Sequence, residues 1–189
     1  MKIKLNNDYF ELKHADALTI KEYLELSKLE SINIINYIAT ISGKEFAQIA
    51  DLKFSERDIK IISAYVGSIK SYDYFLSFPS DSFYFGYTGQ TFYKNNLQKV
   101  ETVGTRMLLE QFKSENIIEL ATYLLAIIIT ENYDSEQVQQ NYERLLNYNY
   151  IHVLSYAAFF LQTFKNGSSK GTKFLRWLTK IFGINTQKN

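Results

Sequence analysis

The stretch ATISGKEFAQIADLKF, positions 39–54, contains a group that could do chemistry. Ser42-Gly43-Lys44 offers a hydroxyl, a glycine amide and a cation, which a phosphate-binding loop uses. Such a loop reads G-x-x-x-x-G-K-[ST], because its glycines free backbone amides to cradle phosphate. Here the upstream glycine is missing, and the lysine is followed by Glu45, whose carboxylate repels phosphate. The segment before it has helical periodicity, not strand periodicity. Gly43 is therefore expected to stop a helix.

The other reactive types fare no better. His14 and His152 are the only histidines and lie in different segments, with no carboxylates at metal-ligand spacing. His14 is expected in a loop and His152 as a polar spot in a buried helix. Cysteine is absent, so thiolate ligands, cysteine nucleophiles and disulfides are excluded; this fits a reducing compartment. There is no G-x-S-x-G and no Ser-His-Asp order. The pairs Glu22 with Glu25 and Asp134 with Glu136 have the spacing of solvated helix faces. No catalytic, cofactor-binding or metal residue is expected, and the chain reads as a non-enzyme.

The elements predicted around these residues are mostly helical. Residues 2–13 read as a hairpin turning at Asn6-Asn7. Thr19 with Glu22 forms a capping box for a helix placing Ile20, Leu24, Leu26 and Leu29 on one side. A second helix, 32–41, sets Ile34, Ile35, Ile38 and Ile41 at helical spacing. After a short helix over 44–50, Ser55 caps a long helix running to about Phe78 and ended by Pro79. Residues 82–94 form a second, aromatic hairpin around Thr88-Gly89. One of its faces is expected on a helix and the other against a neighbour. Thr102 opens a helix; apolar (116–130), polar (134–147) and aromatic (150–164) helices follow. The apolar runs are too short to span a bilayer, and MKIKLNNDYF lacks the apolar core of a signal peptide.

A shift of 83 residues aligns Tyr9-Phe10 with Phe92-Tyr93, Thr19 with Thr102, Leu26 with Leu109 and Asn33 with Asn116. The pattern reads as an internal duplication. The expected fold is α+β, mainly α: two related hairpin-plus-helices halves, 1–78 and 79–165, and an arm, 166–189.

That arm is the most telling segment. After the linker NGSSKG (166–171), residues 172–183, TKFLRWLTKIFG, read as a basic amphipathic helix. Phe174, Trp177, Leu178 and Ile181 share one face, with Arg176 and Lys180 opposite and Lys173 beside them. Residues 144–189 carry seven basic and no acidic side chains, whereas 1–143 carry fourteen basic and twenty acidic. A net charge of +1 thus hides a dipole along the chain. The arm's partner-binding residues are expected to be Lys173, Phe174, Arg176, Trp177, Leu178, Lys180 and Ile181, docked on the acidic body of the next copy.

The segments 18–30 and 32–54 resemble the tail assembly chaperones of tailed bacteriophages, particularly those infecting Bacteroidetes. In that family a T-x-x-x-Y-x-x-L helix precedes an apolar helix ending at glycine, then a short helix. Thr19, Tyr23, Leu26, Ile38, Ile41, Gly43, Ile49 and Leu52 match, and the likeness extends over most of 8–161. The duplication and the arm depart from that family, and in size and composition the chain is similar to small ring proteins stacked on the portal of crAss-like phages. The resemblance implies a non-enzymatic virion protein of the neck or tail. It would be assembled in the host cytoplasm as a homo-oligomeric ring, contacting portal, neck or tail proteins and no membrane. The alternatives are a tail assembly chaperone absent from the virion, and a single-stranded nucleic-acid-binding module. The acidic body disfavours the latter.

Overall fold

The computed structural model describes residues 1–6, 8–29, 31–70, 72–93, 103–112, 114, 116–130 and 132–166. Two compact units emerge among the described residues: 1–70 with 149–151, and 72–148 with 152–166. Each combines a two-stranded antiparallel hairpin with helices, so the fold is α+β and mainly α.

In the first unit, β1 (Lys2–Leu5) pairs with β2 (Asp8–Glu11), Leu5 opposite Asp8. The turn falls where expected, and Asn6 adopts φ 53°, a left-handed conformation that asparagine tolerates. Alternation buries Ile3, Leu5 and Phe10 and leaves Lys4 and Tyr9 in water. Helix α1 (Ile20–Ser27) opens on the expected capping box. The Thr19 hydroxyl accepts the Glu22 N–H at 3.2 Å, and the Glu22 carboxylate accepts the Thr19 N–H at 2.9 Å. Ile20, Tyr23, Leu24 and Leu26 are buried, but Leu29 lies past the helix end and is exposed, contrary to expectation.

Helix α2 (Ile34–Ser42) is capped by Asn33 and ends at Gly43 with φ 65°. The Ser42 hydroxyl donates to the Ile38 carbonyl at 2.7 Å. The Lys44 ammonium donates to Asp8 at 2.6 Å and lies 4.9 Å from the centre of the Phe10 ring. Ser-Gly-Lys thus ends a helix and ties it to the hairpin. Helix α3 (Phe46–Ala50) follows, then α4 (Glu56–Gly67), capped by Ser55. The Ser55 hydroxyl and amide both donate to the Asp58 carboxylate and hold it below the usual carboxylate range.

The single helix expected from 56 to about Phe78 is broken. α4 ends at Gly67, and α5 (Tyr72–Ser77) is a separate element. The Ser68 hydroxyl donates to the Tyr65 carbonyl at 2.6 Å, and the Ile69 N–H to the Val66 carbonyl at 3.1 Å. The Lys70 N–H donates to the Tyr150 hydroxyl at 3.0 Å instead of continuing the helix. Tyr150 also stacks on Tyr23, ring centres 4.3 Å apart, and its N–H donates to the Leu18 carbonyl at 3.0 Å.

In the second unit, β3 (Ser82–Phe85) pairs with β4 (Gln90–Tyr93) across a turn closed by Gly89 at φ 68°. Helices α6 (Val103–Gln111), α7 (Ile117–Ile129), α8 (Ser135–Leu146) and α9 (Tyr150–Asn166) follow; α9 belongs to this unit from His152 onward. α7 is apolar all round and correspondingly buried from Leu120 through Ile129. Where it ends, the buried Asn141 amide donates to the Thr130 hydroxyl at 3.1 Å, which donates to the Ala126 carbonyl at 2.7 Å. His152 is exposed, not a buried polar spot. Thr102 lies outside the described residues.

In each unit, among the described residues, the hairpin precedes the helices that carry the matched caps. Asn33 and Asn116, 83 residues apart, cap α2 and α7 through the amides of Asn36 and Glu119, also 83 apart. Leu26 and Leu109 are both fully buried. The hairpins do not keep that spacing. Phe10 is buried like Phe92, whereas Tyr9 and Tyr93 are the exposed residues, so the pairing of Tyr9-Phe10 with Phe92-Tyr93 is corrected by one position. β2 and β4 begin at residues 8 and 90, 82 apart, one short of the 83 that separates the matched helix positions.

Tyr37 is fully buried; its hydroxyl donates to the Lys13 carbonyl and accepts the Lys13 N–H at 3.1 Å. Burial pushes its phenol up to about 12 from 10.0, and that of Tyr142 likewise. The folded chain therefore holds these phenols neutral. Their contribution to stability is intact below pH 10.0 and is lost as pH rises toward 12. A phenolate absorbance titration should show exposed tyrosines ionising first and a late group ionising with unfolding. Ionisation of all tyrosines in one step near pH 10.0, with the fold retained, would contradict this burial.

Candidate functional site

The first unit carries an apolar groove of about 590 Å³ beside α2, α3 and α4. Ile32, Ile34 and Ile35 form one wall at the start of α2. Ala50 at the end of α3 and Phe54 in the connection to α4 follow, and Ile59, Ser63, Val66 and Gly67 supply the α4 side. Among the described residues, no charged side chain lines it. The sequence put Ile34, Ile35 and Ile41 at core spacing with Ile38. Only Ile38, together with Tyr37, is fully buried; the other three are half-exposed. α2 therefore carries more apolar surface than one core face uses. On α4 the separation is sharper: Ile62 is 0% exposed, whereas Ile59 is 43% exposed. Gly67 adds bare backbone, and a Cβ built there meets nothing within 4 Å.

In the second unit the aromatic hairpin divides its faces. Phe83, Phe85 and Phe92 are buried, with Phe83 stacked 5.8 Å from Tyr156 and Phe85 5.4 Å from Tyr148. Tyr84, Tyr87 and Tyr93 face water, and the Arg144 guanidinium lies 5.0 Å over the Tyr87 ring. The helix-packed face is as expected. The opposite face presents tyrosines, and the acid excess lies in the same part of the sequence. Residues 72–143 hold four basic and ten acidic side chains, while residues 1–71 hold ten of each. The expected acidic body is thus confined to the second stretch.

Among the described residues, no three His, Cys, Asp or Glu side chains come together to hold a metal ion. The paired carboxylates have structural roles. Glu22 caps α1 and pairs with Lys13, Glu25 pairs with Lys28 at 3.6 Å, and Asp134 caps α8. His14 is exposed and lies 2.9 Å from Asp16. The expected partner-binding residues Lys173, Phe174, Arg176, Trp177, Leu178, Lys180 and Ile181 lie outside the described residues. No described helix is long and apolar enough to cross a membrane.

Comparison with known proteins finds no matching family model, no similar curated protein and no similar solved structure.

The groove was missed in sequence because Ile59 and Val66 share a helix with the core residue Ile62. The available signal was the width of the apolar arc on α2, from Ile32 through Ile41. Exposure separates the two roles. Ile62→Ala should cost about 2–5 kcal/mol in urea denaturation, the range for deleting a buried aliphatic side chain. Ile59→Ser should stay within about 0.5 kcal/mol of the parent, as surface substitutions do. Equal losses at both positions would place Ile59 in the core.

Proposed function

We propose that the chain is a non-enzymatic assembly protein of a tailed bacteriophage, forming part of the neck or tail as a ring of identical copies. The observation that carries this reading is the groove on the first unit. It is apolar, uncharged and partly exposed, which suits a docked segment of protein better than a reacting small molecule. The charge distribution supports head-to-tail contact, because the basic C-terminal segment and the acidic stretch 72–143 attract between copies. A heterologous contact of this kind closes into a ring when its rotation permits.

The phage assignment draws on the resemblance at Thr19, Tyr23, Leu26, Ile38, Ile41, Gly43, Ile49 and Leu52. Several of these positions cap or pack the first unit: Thr19 caps α1, Gly43 ends α2, and Tyr23, Leu26, Ile38 and Ile49 are buried. The common order of elements and the matched Asn33 and Asn116 caps support a duplicated origin for the two halves. Localisation in the virion after assembly in the host cytoplasm follows from the same reading. Its proposed partners are copies of itself and portal, neck or tail proteins.

The same groove favours a second reading, a tail assembly chaperone that holds an apolar client and leaves before maturation. A nucleic-acid role is weaker, because the exposed tyrosines belong to the acidic part of the sequence.

Native mass spectrometry of the full chain should show a closed oligomer of fixed copy number. Deleting 166–189 should leave a folded monomer. An unfolded deletion variant would place the arm in the core and defeat the mechanism. Peptide quantitation on purified particles separates ring from chaperone: the ring reading expects a fixed ratio to the portal protein. Abundance in infected cells with absence from particles would favour the chaperone.

A further inference from the structure

We propose that the groove beside α2, α3 and α4 is the seat for residues 172–183 of a second copy of this chain. This rests on the ring reading and names the contact that makes it.

The occupant is picked out by spacing. A helix that docks in an apolar groove presents anchors at i, i+3, i+4 and i+7. Phe174, Trp177, Leu178 and Ile181 have that spacing, and no charged residue interrupts the set. The groove matches in chemistry: its walls are isoleucine, valine and phenylalanine, and its volume of about 590 Å³ is that of a cleft that buries large side chains. The opposite side of the arm carries Arg176 and Lys180, which remain in water when the anchors are seated. Residues 1–71 are electrically balanced, with ten basic and ten acidic side chains, so they do not repel a basic segment.

Seven residues, 167–173, lie between the end of α9 and the first anchor, and fully extended they span at most about 25 Å. Gly67 gives the groove a contact point with no side chain, where the ring of an aromatic anchor can approach the backbone.

Gly67 also provides the test. It is helical with no positive φ, and a Cβ there meets no atom within 4 Å. Gly67→Phe therefore fills the groove without straining the chain. Ile59→Lys is a second block at an exposed position. The arm is disabled separately by Leu178→Asp with Ile181→Asp. All are made in the full chain, checked for parental unfolding midpoints, and followed by sedimentation and native mass spectrometry.

Each blocked variant should be monomeric where the parent assembles, with association weakened roughly thirtyfold or more, as for loss of a central anchor. Mixing Gly67→Phe with the arm variant should yield a one-to-one complex and nothing larger, because one copy supplies the only intact arm and the other the only intact groove. Parental assembly by both Gly67→Phe and Ile59→Lys would overturn the groove as the seat while leaving the ring reading standing. A parent that stays monomeric would overturn both. Monomeric variants that give no complex when mixed would overturn the pairing of arm with groove, and would assign the groove to another protein or to the chain's own arm.

Discussion

The first unit depends on a contact that its own leading sequence cannot make. Tyr150 stacks on Tyr23, donates its amide to Leu18 and accepts the amide of Lys70, eighty residues away in sequence. Asn149 bridges Thr19, and its side-chain amide donates to the Asp16 carbonyl. These bonds satisfy backbone groups that α1 and the end of α4 leave open. Without them, the Lys70 amide and the Leu18 carbonyl would lose partners, at about 1–3 kcal/mol each if left dry. Completing the unit therefore requires closing a long loop, an entropy cost that grows only slowly with length.

α4 stops at Gly67, the Ser68 hydroxyl closes its last turn on the Tyr65 carbonyl, and the Lys70 amide goes to Tyr150. α2 contributes Tyr37 and Ile38 to the core, while Ile34 and Ile35 border the groove. The result is a folded unit with apolar surface left over, in a chain whose last segment has the residue spacing of an amphipathic helix. Exposed apolar grooves of this kind mark sites where another segment binds.

Local rules made much of this legible. Asn6-Asn7, Thr19 with Glu22, Gly43, Ser55 and Gly89 each act through a neighbour a few residues away, so turns, caps and stops could be read directly. The failures came from long-range contacts. Nothing near Lys70 signals that Tyr150 will take its amide, so helix 56–78 reads as unbroken. Nothing in the periodicity of α2 or α4 tells a buried isoleucine from a half-covered one, because both obey the same spacing. The hairpin repeat slipped by one position because Phe10 and Phe92 lie 82 residues apart, not 83, and only burial shows which residues correspond. The groove was therefore invisible as a site, whereas the arm that would fill it was conspicuous.

The central claim is that apolar surface on one copy is covered by the arm of another. Trp177 is the only tryptophan in the chain and belongs to that arm, so its fluorescence reports the contact without labelling. On serial dilution of the full chain, its emission should be blue-shifted and protected from a soluble quencher at high concentration, becoming red-shifted and accessible as copies separate. Emission and quencher access unchanged across the range where the oligomer dissociates would contradict the account.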